Sequence, residues 1–128
     1  MKIEVSNGEL VDKVTILDIK LKKIADESKR KNLIREFELL SSDMQKLGID
    51  SSSGEYKQLY DVNLELWEIE DKIRIKEMNK NFDDDFISLA RKVYHANDKR
   101  SEIKRRINLS SNSEIIEEKQ YVDYKAGK

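Results

Sequence analysis

Apolar residues recur along this chain at alternating spacings of four and three. Leu10, Val14, Leu17, Leu21 and Ile24 form the first row, widened by Val11, Ile16 and Ile19. That period puts the row on one face of an α-helix. Just before it, Ser6-Asn7-Gly8-Glu9 has the form of a capping box, in which the Ser6 hydroxyl accepts from the Glu9 N–H and the Glu9 carboxylate returns to the Ser6 N–H. Val5 and Leu10 occupy the staple positions around it, and a helix over 9–25 follows. Leu33, Phe37, Leu40, Met44 and Leu47 repeat the rhythm and predict a second helix over 29–47, capped by Asp26 or Ser28. Gly48 ends it, with Lys46 near the negative end of its dipole and Ile49 placed to fold back over Met44.

After the loop 48–54, Ser52 and Glu55 form a second capping box, and Leu59, Val62, Leu66, Ile69 and Ile73 trace a helix over 53–79. Beside that row runs another of different character: Tyr60, Asn63, Trp67, Glu70 and Arg74. Asp83 then caps a fourth helix over 84–108, with Phe82 and Ile87 as its staple. Its inner face is Leu89, Val93, Ala96, Arg100, Ile103 and Ile107. Ser110–Ser113 breaks the period. Residues 114–124 read as a short helix or an extended arm on the bundle, with the last four residues frayed. The pattern predicts an all-α antiparallel bundle of two hairpins, the second longer, with a C-terminal arm, as one domain over 1–128.

Composition agrees with that picture. There is no proline, which breaks helix interiors, and only 4 glycines occur in 128 residues. Charged residues make up 40% of the chain, yet 25 Lys+Arg almost cancel 26 Asp+Glu. Balanced charge on periodic helices favours solvated faces laced with i,i+4 pairs, and gives no net field to draw nucleic acid or anionic membrane. The absence of cysteine excludes disulfides, thiolate nucleophiles and Cys-based zinc sites, and a single histidine, His95, excludes His-rich metal sites. Neither a cofactor nor a metal site is expected. Met1–Asn7 is too short and polar for a secretory leader, and no apolar run approaches the roughly 18 residues of a spanning helix, so a cytoplasmic location is expected.

The opening Ile3-Glu-Val-Ser-Asn-Gly-Glu-Leu-Val-Asp-Lys-Val-Thr-Ile-Leu17 resembles that of a family of short bacterial and phage proteins of unknown function. The likeness continues through Val62–Trp67, Ile69–Asp71, Leu89–Tyr94 and Asn97-Asp98, then Ile103–Arg105, Ile107-Asn108 and Glu117–Lys119. It implies a self-contained helical unit and carries no catalytic residue. The first helix also faintly resembles the start of an all-α chorismate mutase, through Asp12, Ile16 and Asp18. The substrate-binding arginine such a helix needs is missing, since the first arginine is Arg30. Glu65–Glu68 and Glu68–Asp71 resemble part of the acidic motif of all-α nucleotide pyrophosphatases, but no second such motif follows on a later helix.

The candidate chemistry lies on the third and fourth helices. If they turn about residues 81–82, positions summing to about 163 lie level, which sets Asn63 opposite Arg100 and Leu66 opposite Asn97. Asn63, Trp67, Glu70, Arg74, Asn97 and Arg100 then form either a hydrogen-bonded network that fixes helix register or a pocket in which Arg100 grips a small anion or nucleotide. The network is the plainer reading, because buried polar groups need partners. Lys99, Lys104, Arg105 and Arg106 could contact nucleic-acid phosphates, although such a cluster near a helix C-terminus is also favoured by the dipole alone. Asp83–Asp85 lacks the alternating ligands of a calcium loop and is explained by capping. The favoured function is a non-enzymatic binding or assembly module that acts through its long hairpin. A homodimer or another protein is the expected partner, with Trp67, Tyr60 and Tyr56 as interface anchors.

Overall fold

The structure, a computed structural model, describes residues 1–125. It consists of α1 (Asn7–Lys23), α2 (Glu27–Gln45), α3 (Gly54–Met78) and α4 (Asp84–Ser110), with no strand among the described residues. The all-α bundle is therefore what the chain forms. Of the expected frayed end, only Lys125 falls within the described residues.

The caps explain where each helix starts. Ser6 accepts from the Glu9 N–H at 3.1 Å, which begins α1 at Asn7, two residues before the expected start. The other half of the capping box does not close: the Glu9 carboxylate turns away to Lys104 Nζ, 2.6 Å off. Asp26, not Ser28, caps α2 through the Lys29 N–H at 2.9 Å. The second capping box is replaced by a loop device. Ser53 is the N-cap of α3 without a side-chain cap bond, while Ser52 donates its backbone N–H and hydroxyl to Asp50. Asp83 caps α4 through the Phe86 N–H at 2.9 Å. Beside this cap the Phe82 ring packs edge-on against Phe86, 5.2 Å away.

Packing centres on α1. It touches all three other helices, whereas α2 lies close to α1 alone and only its side chains Phe37, Leu40 and Met44 reach the common core. Val11, Val14, Leu59, Val62, Ile103 and Ile107 are essentially withdrawn from water. Each such side chain is worth about 1.5–3 kcal/mol of transfer free energy. The helix α1 descends α4 as it proceeds, from Asn108 and Lys104 opposite Gly8 and Glu9 to Arg100 opposite Asp12. Its partners on α3 run from Asn63, at Asp12 and Thr15, back to Tyr56 and Tyr60, at Asp18 and Lys22. Since α3 and α4 are antiparallel, both trends together mean that α1 lies obliquely across the α3/α4 pair.

That crossing removes one of the three expected interface anchors, Tyr56. Tyr56 is buried and donates to Asp18 Oδ2 at 2.9 Å, Tyr60 accepts from Lys22 Nζ at 3.0 Å, and Trp67 is half-buried beside α1. Tyr56 is thereby withdrawn from the surface, while Tyr60 and Trp67 are only partly covered. The protruding part of the long hairpin is its other end.

Residues 114–125 form an extended arm, not a helix. Asn112 takes a left-handed conformation with φ 53°, tolerated by asparagine, and the chain reverses there. The arm then runs back along α4. Glu117 meets Lys104 and Glu118 meets Arg105, and further along the arm Tyr124 meets Asp98, nearer the start of α4.

Candidate functional site

Three helices converge on one buried carboxylate. Asp12, fully buried on α1, accepts at Oδ1 from Asn63 Nδ2 of α3 at 2.9 Å and from Arg100 Nε of α4 at 2.9 Å. Its Oδ2 accepts from a terminal nitrogen of Arg100, which completes a bidentate pair. Asn63 Nδ2 also donates to Thr15 Oγ1 at 2.9 Å, and that hydroxyl donates to the Asp12 carbonyl at 2.7 Å. Among the described residues no buried side-chain polar atom lacks a partner. A buried charge is tolerated only when paired and hydrogen-bonded, and the fork of arginine matches a carboxylate edge to edge.

One turn back along α1 the same strategy is applied to backbone. The Gly8 N–H donates to Asn108 Oδ1 at 2.6 Å, and the Asn7 N–H donates to Ser113 Oγ at 2.9 Å. Ser6 Oγ donates to Glu117 Oε1 at 3.1 Å, while Asn7 Nδ2 donates to Ser111 Oγ at 2.9 Å. The first turn of a helix leaves its N–H groups unpaired, and here α4 and the arm supply the acceptors. Ser6 through Thr15 is thus a docking sequence for α4, α3 and the arm.

The predicted site residues divide accordingly. Asn63, Trp67, Glu70, Asn97 and Arg100 line one groove of about 340 Å³, together with Ile16 and Ile19 of α1. Arg74 does not line it. That residue is largely exposed and pairs with Glu70 one turn away at 3.3 Å. The polar atoms of Asn63 and Arg100 are largely spent on Asp12 and Thr15.

The basic residues do not share a face. Lys104 is buried, held by Glu9 at 2.6 Å with Glu117 at 3.8 Å; Arg105 pairs with Glu118 on the arm, and Arg106 donates to Gln58 of α3. Lys99 is exposed. Asp12, Thr15 and Lys104 were missed as interior polar positions. Asp12 and Thr15 belong to a second row on α1, Gly8-Asp12-Thr15-Ile19 at spacings 4-3-4, beside the apolar one, whereas Lys104 on α4 has no such signal.

The arm ends in an aromatic latch. Tyr124 donates to Asp98 Oδ2 at 2.5 Å, lies 3.2 Å from His95 Nδ1, and packs edge-on against the Tyr94 and His95 rings. The hydrogen bond to Asp98 raises the Tyr124 phenol to about 12. Burial, then the bond to Asp18, pushes Tyr56 up as well. A raised tyrosine favours the latched state while protonated, so its contribution is full below about pH 10 and fades as pH climbs toward 12. Phenolate absorbance across an alkaline titration should therefore show Tyr56 and Tyr124 ionising late. Tyr124→Phe should leave one.

Among the described residues no helix is long and apolar enough to cross a membrane. Neither a curated protein nor a solved structure matches the chain. A family model does, over residues 1–126, and the chain accordingly belongs to the Family of unknown function (DUF6165).

Proposed function

We propose that this chain is a non-enzymatic assembly module that pairs with a second copy of itself through the tip of the α3/α4 hairpin. The observation that supports this is a cluster of large apolar side chains left in water there. Ile75, Met78, Phe82 and Ile87 are 53–73% exposed, on a part of the hairpin that lies beyond every α1 hydrogen bond. Several large apolar side chains exposed at one end of a hairpin are the kind of surface that marks an interaction site. Single exposed apolar residues would carry no such meaning.

A second copy suits the patch better than a charged partner. Around it stand Lys72, Lys76 and Lys92 beside Asp83 and Asp85, with Lys76 held by Asp83 at 2.8 Å. Both signs are present, so a two-fold related tip meets no single-sign repulsion, and Phe82 and Met78 supply the bulk that anchors an interface. The polar groups deeper in the bundle meanwhile hold the hairpin rigid at its base.

Sedimentation equilibrium across about a hundredfold concentration range tests the reading. The expected result is a mass rising toward twice that of the chain, with a melting temperature that rises in parallel. Met78→Asp combined with Phe82→Asp should abolish both effects and leave the helical circular dichroism unchanged. A chain that stays monomeric throughout overturns it.

A further inference from the structure

The arm and α4 enclose a second groove, on the side of α4 that carries Asn97, Ser101 and Lys104, with a volume of about 550 Å³. That is within the range of small-molecule sites and larger than the groove beside Trp67. We propose that it binds a small phosphorylated compound with a planar ring, of the size of a nucleoside monophosphate.

The charge of the lining points to an anion. Arg100, Lys104 and Lys119 contribute to the wall against a single carboxylate, Asp98, which is engaged by the Tyr124 hydroxyl at 2.5 Å. Two of these cations are already held in place by carboxylates that do not line the groove. Asp12 holds Arg100 through Nε and one terminal nitrogen, leaving the other terminal nitrogen without a hydrogen bond to any described residue. Glu9 fixes Lys104 at 2.6 Å, with Glu117 of the arm at 3.8 Å. Lys119 makes no ion pair or hydrogen bond with any described residue, and it lines the groove from the arm. Arginine held on one edge and free on another needs little reordering to take a phosphate oxygen.

The ring is argued from the tyrosines. Tyr94, Tyr121 and Tyr124 line the same groove. The first and last are fixed against each other at 4.9 Å, whereas Tyr121 is 74% exposed and hydrogen-bonded to nothing among the described residues. Planar rings stack on such faces, and a site that combines aromatic faces with cations is the chemistry that recognises a phosphorylated base. The arm forms one wall, so a ligand there touches both the arm and α4.

Thermal melting and calorimetric titration with AMP, GMP, CMP and UMP test the proposal, alongside phenyl phosphate, adenosine and inorganic phosphate. At least one nucleoside monophosphate should raise the melting temperature saturably and bind at least about tenfold more tightly than phosphate or adenosine. Lys119→Ala and Tyr121→Ala alter exposed arm side chains, so both variants should fold and each should weaken binding about tenfold. Arg100→Lys adds a third reading, because a point charge replaces the fork. Absence of binding by every monophosphate overturns the proposal, as does binding that both arm variants leave unchanged. Phosphate binding as tightly as the nucleotides removes the ring, and binding seen only with single-stranded RNA overturns the small-molecule site.

Discussion

Arg100→Met should lower the unfolding free energy by about 3–5 kcal/mol, the largest effect expected of any single substitution here. The cost comes from what is left behind. Asp12 stays fully buried on α1, and with the guanidinium gone its carboxylate keeps one side-chain donor, Asn63. An interior charge stripped of its partner is far more expensive than the pair was favourable. Because the Arg100 side chain is 29% exposed, water can reach part of the site, which favours the lower end of the range. The double variant Asp12→Leu, Arg100→Met removes both charges and should recover most of the loss. Urea unfolding of the two single variants and the double, with equal slopes, completes the cycle. A cost under about 1 kcal/mol for Arg100→Met would mean that the pair does not hold the helices together.

The same pair shows how far the sequence could be read. The helices were legible because each apolar row announces its own face, and Ser6, Asp26 and Asp83 each cap a start; only the Ser52 cap before α3 was misplaced. The register of α3 against α4 was legible too, because a short turn between two long helices leaves little freedom. Arg106 bonds to Gln58, positions that sum to 164, and Asn63 and Arg100, which sum to 163, meet on the same carboxylate. The carboxylate itself was not expected. Apolar spacing shows which side of α1 turns inward but carries no information on the angle at which α1 crosses its neighbours. That angle is what brings Asp12 under Arg100 and Tyr56 under Asp18. Lys104 was equally illegible. One position from Ile103 on a helix, a lysine ordinarily reaches water, and only the arrival of Glu9 from α1 and Glu117 from the arm makes its burial tolerable. The arm could not be assigned because its partners lie on α4 and at the start of α1, far away in the chain.

Gly8→Ala should destabilise the protein by about 1–3 kcal/mol, against the usual direction for this exchange in a helix. Elsewhere in a helix, alanine is favoured over glycine by about 1 kcal/mol, since it has less freedom to lose on folding. At Gly8 the deciding quantity is space. A Cβ there would stand 2.5 Å from the carbonyl oxygen of Lys104 and 2.9 Å from Asn108 Oδ1. The first is backbone in the middle of α4, so no side-chain rotation relieves the contact and α1 must back away. Doing so stretches the 2.6 Å bond from the Gly8 N–H to Asn108, and one turn further along it strains the grip of Asp12 on Arg100. Gly54 provides the control. It also opens a helix, yet a Cβ there meets nothing within 4 Å, so Gly54→Ala should be neutral or slightly stabilising. In thermal melts the two alanine variants should move in opposite directions, by roughly 4 °C per kcal/mol for a chain of this size. Gly8→Ala melting at or above the parent temperature would show that α1 and α4 do not approach this closely, and the interlocked network beneath them would lose its geometric basis.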